Sequence, residues 1–429
     1  MKKELLLLLS LVISTNLIGQ HHKCYTDQAN VKYSQASAIK APNYQLNEAA
    51  MKQWIAANQN QIQSRGSALV ATIPVVFHVV YKNAAQNIAD SNLFRQIDVL
   101  NECFRKQNAN FSQTRPIFDT IAADVDIEFC LATIDPSGAP TTGITRTQAP
   151  AGTFFDPLLG FDNVKANATG GKDPWPNDQY LNVWVCDMSF LGIPFVLGYA
   201  TFPGGDPLKD GVVIQHNFIG FISNGTTSNA GRTTVHEVGH WLGLRHIWGD
   251  GQGSAPLCDS TDYVDDTPNA DTASQQTCVI KNSCSNESPY WTLAGIDPPD
   301  MIENYMDYSY DNCMTMFTNG QKARMLGFLN TVRSGLLISP GCATTGIVEL
   351  ASTEISIFPN PTQEFLHVET STEKSVQFTL YDLSGRVLNS FMIESFAKID
   401  IREFASGILF YEAKETGKAS ARGRILISK

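Results

Sequence analysis

Residues 236–246 read HEVGHWLGLRH, and the reading of this stretch decides the rest of the chain. On a helix, His236 and His240 lie four apart and project from one face, one turn above the other. Two neutral imidazoles placed in this way reach a single metal ion. Glu237 stands beside the first of them, near enough to act on a water at that ion without being a ligand. Gly243 stops the helix, because glycine takes the left-handed conformation that ends it, and the returning chain lets His246 supply a third nitrogen. Three protein ligands and one open position is the pattern of a catalytic zinc site, whereas structural sites close all four with protein. Zinc held so brings the pKa of a water to about 7. Glu237 takes the proton during attack on a peptide carbonyl and passes it to the leaving amine. The bland alternative is an amphipathic helix that carries histidines by accident. Five fixed positions at roughly one in twenty each arise by chance about once in ten thousand chains of this length.

The stretch resembles the metzincin signature HExxHxxGxxH, which a methionine turn completes downstream. Here NYMDYS, 304–309, follows, and Met306 is the candidate turn methionine, an apolar floor beneath the metal that does not ligate it. The MDY triplet and four flanking cysteines narrow the resemblance to the pappalysin family of metalloendopeptidases, over roughly residues 70–340. That resemblance implies an α+β catalytic domain with a twisted mixed sheet, an active-site helix, a backing helix and a loop-rich lower subdomain. The four cysteines after His246 allow three pairings; the resemblance implies Cys258–Cys284 and Cys278–Cys313, each closure contributing ~2–4 kcal/mol. Tyr308 stands where several metzincins keep a tyrosine that hydrogen-bonds the tetrahedral oxyanion, a packed aromatic being the alternative. Family members that cleave beside basic residues carry an acidic group near the floor of the primed-side pocket. In this chain Asn312 immediately precedes Cys313 and Asp311 comes one further back, so these two are the substrate-pocket candidates and basic specificity does not follow.

DSTDYVDDTPNAD, 259–271, packs five aspartates into thirteen residues around a DTP turn. It is either a solvated acidic loop or a place for calcium, a hard ion that takes six to eight oxygens. The spacing is not that of an EF-hand. Resemblance to pappalysins that carry calcium near this segment implies Asp262, Asp266 and Thr267 as ligands.

The remaining composition sets bounds. At 429 residues the chain suggests two or three units. A net charge of −11 argues against nucleic acid or anionic membrane as partner, since both require basic surface. Lys2 and Lys3 precede an apolar run from Leu5 to Ile13, the signature of a secretory signal peptide over residues 1–20. The run is too short for a bilayer span, and no later segment supplies one. Nine cysteines in an exported chain imply disulfides with one cysteine left over.

Residues 21–65 are polar, with a weakly amphipathic helix over 46–64 ending at Arg65-Gly66, and read as a propeptide. Some pappalysins have a propeptide cysteine that caps the zinc and a basic activation site. Cys24 is the candidate for such a cysteine switch, because a thiolate is a good zinc ligand and displaces the water; maturation would fall beside Arg65. A disulfide or an unused thiol is the other reading of Cys24.

The peptidase domain spans 66–342. It opens with ATIPVVFHVVY, 71–81, a buried strand in which His78 reads as structural. A helix over 91–106, capped by Asp90 or Ser91, leads to strands at 125–134, 180–187, 196–203 and 211–220. Residues 135–178 are Gly-, Pro-, Asp- and Asn-rich loop. Cys103 and Cys130 either pair or stay reduced, and His216 reads as structural. VLGYATFP, 196–203, is the expected edge strand of the cleft, binding substrate by antiparallel main-chain pairing. The active-site helix runs 229–242 with Ser228 as cap, and a backing helix covers 320–335.

After a linker, 343–353, the segment 354–429 changes to alternating strands without cysteine. IFPNP (357–361), YDLSGRVL (381–388), ASGILFYEA (405–413) and the basic RILISK end resemble the C-terminal sorting domain of type IX secretion cargo, a β-sandwich of about seven strands. A fibronectin-like adhesive module is the alternative. The chain as a whole reads as a secreted or surface-held zinc metalloendopeptidase made as a zymogen. Its partners are protein or peptide substrates and the type IX machinery. The rival from another class is a zinc-bearing surface adhesin with vestigial hydrolysis, against which the presence of Glu237 argues.

Overall fold

The computed structural model describes residues 22–36, 44–63, 70–190, 192–194, 196–220, 230–249, 257–275, 277–285, 287–342, 355–370, 375–382, 386–415 and 420–429. The expected signal peptide, the maturation point at Arg65, the linker and the cap Ser228 lie outside these residues. The chain divides into two units, Met1–Ala343 and Thr344–Lys429.

The first unit is organised on the apolar run that opens the expected peptidase domain. Strand β2 (Ala71–Tyr81) is buried from Ile73 through Val80, as a strand covered on both faces must be. It pairs in parallel with β5 (Leu181–Cys186) on one side. On the other it pairs with β3 (Ile127–Leu131) along its first half and β4 (Ile144–Gln148) along its second. Beyond β5 lies β9 (Val212–Gln215), parallel, and then β8 (Val196–Ala200), antiparallel. The outermost strand is β1 (His22–Cys24), which comes from the segment expected to be a propeptide and runs parallel to β8. A short hairpin of β6 (Ser189–Phe190) and β7 (Ile193–Pro194) stands apart from the sheet.

Alternation along the strands sends side chains to two cores. Val75, Phe77, Val79, Val183, Val185, Val212 and Ile214 join the helices of the large core. Trp184, Tyr199 and Val213 point through the other face into a smaller one. On the large face the helix Asp90–Phe104 starts without a side-chain cap. The active-site helix runs Arg232–Trp241, every residue of it buried. The backing helix, Asn319–Asn330, opens with a capping box in which Thr318 and Gln321 satisfy each other's backbone N–H groups.

His78 sits wholly inside, between the Thr145 hydroxyl at 2.8 Å and Asn182 at 3.0 Å, and burial pushes its pKa down to about 4. It is a neutral structural histidine, as expected. The cysteine arithmetic differs from expectation. Cys130 is joined to Cys342, not to Cys103, which is buried outside any disulfide; with Cys24 and Cys186 it makes three such thiols instead of one. From the sequence, pairing of Cys103 with Cys130 and reduced burial of both stand as equal alternatives. The partner from the far end of the domain wins because Thr133 N–H donates to the Gly341 carbonyl and lays that end beside β3.

The second unit is the expected all-β sandwich. A three-stranded antiparallel sheet is made of β10 (Ile355–Phe358), β11 (Phe365–Thr370) and β14 (Phe396–Asp400). A four-stranded one contains β12 (Val376–Tyr381), β13 (Val387–Ile393), β15 (Gly407–Glu415) and β16 (Ala421–Ile427). Leu366, Val368, Phe378, Leu380, Ile399 and Ile425 fill its core.

One buried ion pair holds the end of the active-site helix. Arg333 forks onto Asp210 at 2.7 and 2.8 Å while its Nε donates to the Trp241 carbonyl at 2.9 Å. The Trp241 indole donates to the same aspartate at 3.0 Å. Removing one partner leaves the other charge buried and uncompensated, which costs about 3–5 kcal/mol. Arg333→Ala is expected to lower the stability of the catalytic unit by that amount, read as a shift of the urea midpoint. An unchanged midpoint would contradict the assignment.

Candidate active site

The active-site helix begins at Gly231, and the N–H groups that a helix start leaves unpaired are met from a distance. The carboxylate of Asp311 accepts from the backbone of Ala230 at 2.9 Å and of Arg232 at 3.1 Å. Asp311 is therefore buried and engaged as a helix cap, a position where negative charge is favourable. Asn312, in contrast, is exposed beside the Cys278–Cys313 disulfide. Asp311 thus has a capping task, and Asn312 stays at the surface. The second disulfide of the lower subdomain joins Cys258 to Cys284.

From this helix and its return the three imidazoles converge. Gly243 ends the helix at φ +93°, and a Cβ there would lie 2.1 Å from the Phe328 ring, so both conformation and space require glycine. The His236 and His240 Nδ1 atoms lie 2.7 Å from the Tyr305 carbonyl and 2.9 Å from the Leu244 carbonyl. A carbonyl only accepts, so each Nδ1 carries the proton and each Nε2 presents a lone pair. The Nε2 atoms of His236 and His246 stand 3.0 and 3.1 Å from that of His240. Lone pairs facing one another at this distance inside the protein are stabilised by a shared cation. Together with the Cys24 sulfur these atoms all lie within 4.8 Å of one another, and all four residues are buried. The donor set, three imidazoles and one sulfur, is the borderline-soft set that zinc takes.

Glu237 is fully buried and faces the segment Cys24–Thr26. Its Oε2 accepts from the Thr26 hydroxyl at 2.8 Å and from the Cys24 thiol at 3.4 Å. Burial, then the Glu237 charge, pushes the Cys24 thiol well above its usual range; a cation is what reverses that shift. Asp27 accepts from the third imidazole, Nδ1 of His246, at 3.1 Å. That makes it an outer partner of the kind that fixes a ligand's tautomer. The Tyr308 hydroxyl lies 3.1 Å from His246 Nε2 and 3.4 Å from the Cys24 carbonyl, and burial pushes its pKa well up, so it is a protonated donor. Met306 is buried beneath the helix, and a Cβ on Gly239 would come within 2.6 Å of its sulfur.

The aspartate-rich segment behaves differently. Asp262 accepts from the Val264 backbone at 3.0 Å and the Thr267 hydroxyl at 2.7 Å. Asp266 turns away to the start of the backing helix, accepting from Thr318 at 2.6 Å and Gly320 at 2.8 Å. Burial pushes their pKa values up to about 7 and about 6.

Thr26 and Asp27 escaped the sequence reading, although both stand in CYTD, 24–27, next to Cys24, the candidate switch. So did the capping task of Asp311, for which a residue 79 positions from Arg232 carries no local signal.

A mixed sheet over a buried helix whose histidines and return loop face one point defines a metallopeptidase catalytic unit. A family model described as pregnancy-associated plasma protein-A matches residues 165–330, and one described as a secretion system C-terminal sorting domain matches 356–428. An extracellular metalloprotease of Arthroderma gypseum is 32% identical over 262 residues, covering 59% of this chain and 71% of its own length. Another from Pyricularia oryzae is 29% identical over 337 residues, covering 75% and 94%. Among solved structures, mature mirolysin of Tannerella forsythia in complex with a cleaved peptide is 41% identical, covering 63% of this chain and 97% of its own, with a TM-score of 0.56. A promirolysin mutant of the same organism is 36% identical, covering 74% and 97%, with a TM-score of 0.59. The chain belongs to the pappalysin family. It is a zinc metalloendopeptidase, secreted or held at the cell surface, with a type IX sorting domain at its C-terminal end.

Because Met306 packs on a glycine, Gly239→Ala overpacks the floor of the site. Such insertions cost about 1–3 kcal/mol. The variant is expected to be less stable by that amount and to hold zinc more weakly, read by metal content after dialysis. Metal content equal to wild type would show that Met306 does not support the site.

Proposed function

We propose that the chain is a latent form of the enzyme in which the propeptide closes the metal centre. The observation that carries this is the Cys24 sulfur among the three histidine nitrogens, delivered by a strand that runs parallel to β8. His236, His240 and His246 would hold the zinc and Cys24 would fill its fourth position. When bound with that position open, zinc supplies a Lewis acid and makes water nucleophilic at neutral pH.

The residues of the chain do the rest. Glu237 takes the proton of the attacking water and returns it to the leaving amine. In the latent form that carboxylate is engaged by Thr26 and Cys24, so the base is blocked together with the metal. The Tyr308 hydroxyl, released from its contact with the Cys24 carbonyl, donates to the oxyanion. Met306 supports the histidines from below. The edge of β8 binds the substrate backbone. A substrate pairing antiparallel to β8 runs opposite to β1, so the propeptide occupies the cleft with its peptide bonds in reverse order, which suits an inhibitor that must survive contact with the site.

Glu237→Gln in the matured enzyme is expected to reduce gelatin cleavage by about 10²–10⁴-fold, the usual contribution of a positioned base. Cys24→Ala in the full chain is expected to cleave gelatin before any maturation while the wild type is silent. Cleavage unchanged in the first, or latency retained in the second, would overturn the corresponding role.

Calcium is the second metal we propose, bound beside Asp262, Asp266 and Thr267. Two carboxyl groups this deeply buried cost free energy to ionise unless a cation compensates. After treatment with a calcium-selective chelator and restoration of zinc, adding Ca²⁺ is expected to raise the melting temperature by several degrees. An unaltered melting temperature would leave Asp262 and Asp266 as hydrogen-bonded caps alone.

A further inference from the structure

The propeptide touches the domain at a second place, on the sheet face opposite the metal centre. After Cys24 the chain forms the helix Thr26–Ala36, and Ala29 and Tyr33 enter the small core with Tyr199, Trp184 and Val213. The Tyr33 hydroxyl does not end in apolar surroundings. It donates to Asp162 Oδ1 at 2.9 Å and accepts from the Lys165 ammonium at 2.9 Å. Lys165 is 1% exposed, a depth at which lysine is rare unless paired.

The floor of this pocket is complete without Tyr33. Lys165 also donates to the Lys209 carbonyl at 2.7 Å and to Thr201 at 3.4 Å, and its ammonium lies 3.3 Å from Asp162. Asp162 accepts in addition from the Tyr199 hydroxyl at 3.1 Å. Asp162 is held at φ +64°, a conformation that costs energy for a residue with a side chain and clusters at ligand clamps. Aromatic walls complete the pocket, the Phe161 ring standing 5.5 Å from Tyr33 and 5.6 Å from Tyr199. Lys32 of the same propeptide helix covers Phe161 at 4.5 Å and donates to the Pro157 carbonyl at 3.0 Å.

A neighbouring carboxylate and ammonium select for one kind of guest. A phenol donates to the first and accepts from the second. A phenyl ring does neither, a second carboxylate repels Asp162, and a second amine repels Lys165.

We propose that Phe161, Asp162, Lys165 and Tyr199 form a phenol-binding pocket, separate from the metal centre, whose ligand is Tyr33 of the propeptide. The propeptide is then a two-point ligand. Cys24 engages one face of the sheet and Tyr33 the other, with the helix between them wrapped over the edge at β8. Two linked contacts bind more tightly than either alone. A propeptide freed by cleavage therefore still inhibits in trans until the phenol leaves its pocket. This deepens the latency reading and rests on it for the inhibitory consequence, but the pocket is tested independently of it.

The test adds synthetic peptides of residues 22–36 to the matured enzyme and reads direct binding by fluorescence anisotropy beside inhibition of gelatin cleavage. Tyr33→Ala is expected to weaken binding at least tenfold, and Tyr33→Phe by nearly as much, because the hydroxyl carries the recognition. A peptide with Cys24→Ser should bind more weakly than wild type yet keep the same dependence on Tyr33. On an enzyme carrying Asp162→Asn, the difference in affinity between the wild-type peptide and the Tyr33→Phe peptide should shrink. If that variant does not fold, the peptide series on the unaltered enzyme decides alone. Tyr33→Phe binding as tightly as wild type would overturn the pocket. Equal inhibition by wild type and Tyr33→Ala would do the same while leaving latency intact. A peptide that binds through Tyr33 without inhibiting would overturn the latency reading and leave the pocket standing.

Discussion

Three imidazole lone pairs aimed at one point inside a protein are the constraint from which the rest of this fold can be understood. Each Nδ1 is tied to an acceptor, His236 to the Tyr305 carbonyl, His240 to the Leu244 carbonyl and His246 to Asp27. The ring orientations are thereby fixed before any ion arrives. Holding them in that state requires a helix that cannot shift. The Arg333–Asp210 pair anchors its C-terminal end and Asp311 anchors its start, which is why charged residues far apart in sequence are buried around a helix of ten residues.

The same constraint explains the form of the N-terminal segment around CYTD. A site with an open metal position, a buried carboxylate and an unpaired sheet edge presents three demands at once, and CYTD with its preceding strand meets all of them. Backbone pairing occupies the edge, the thiol stands among the imidazole nitrogens, the Thr26 hydroxyl binds Glu237, and Asp27 braces the third histidine. Thr26 is also held by the Ala200 backbone N–H at 2.9 Å, so the segment that covers the base is fastened to the edge strand itself. At a distance from the three histidines, Arg324 forks onto Glu48 of the helix Tyr44–Gln63, while its Nε donates to the carbonyl of Gly243. The glycine that turns the chain toward His246 is thus linked to that helix through one arginine.

Much of this was legible in the chain, and the boundary between what was and what was not follows physical range. HEVGHWLGLRH specifies its own helix, stop and return with residues inside eleven positions, so local rules suffice. ATIPVVFHVVY announces a strand buried on both faces because its apolar run is short and rich in β-branched residues. The C-terminal sandwich was visible for the same reason, through alternation and turn chemistry. What escaped depends on pairings across more than a hundred residues. Cys130 with Cys342 and Arg333 with Asp210 are set by topology, and a sequence offers no distance between them. Asp311 was singled out, but its task was not, since a carboxylate that caps a helix and one that floors a pocket look alike until the helix start is placed beside it.

The loop 135–178 shows the limit most clearly. Its composition predicts irregular structure, but β4 (Ile144–Gln148) lies inside it, paired with β2, and only the rest is irregular, with two short 3₁₀ turns, Asn163–Lys165 and Asn167–Thr169, before β5. Composition has nothing to say about a lysine there that becomes fully buried. Lys165 is an ordinary surface residue by every local rule, and only the arrival of Lys209, Thr201 and Asp162 around its ammonium lets it stay inside. A buried ammonium already satisfied by the domain, with one further hydroxyl contributed by a removable segment, has the architecture of a receptor more than of a core. Ordinary core packing would place a methyl or phenyl group at the end of Tyr33 and leave no charge to compensate; the fold retains both the charge and the phenol that reads it.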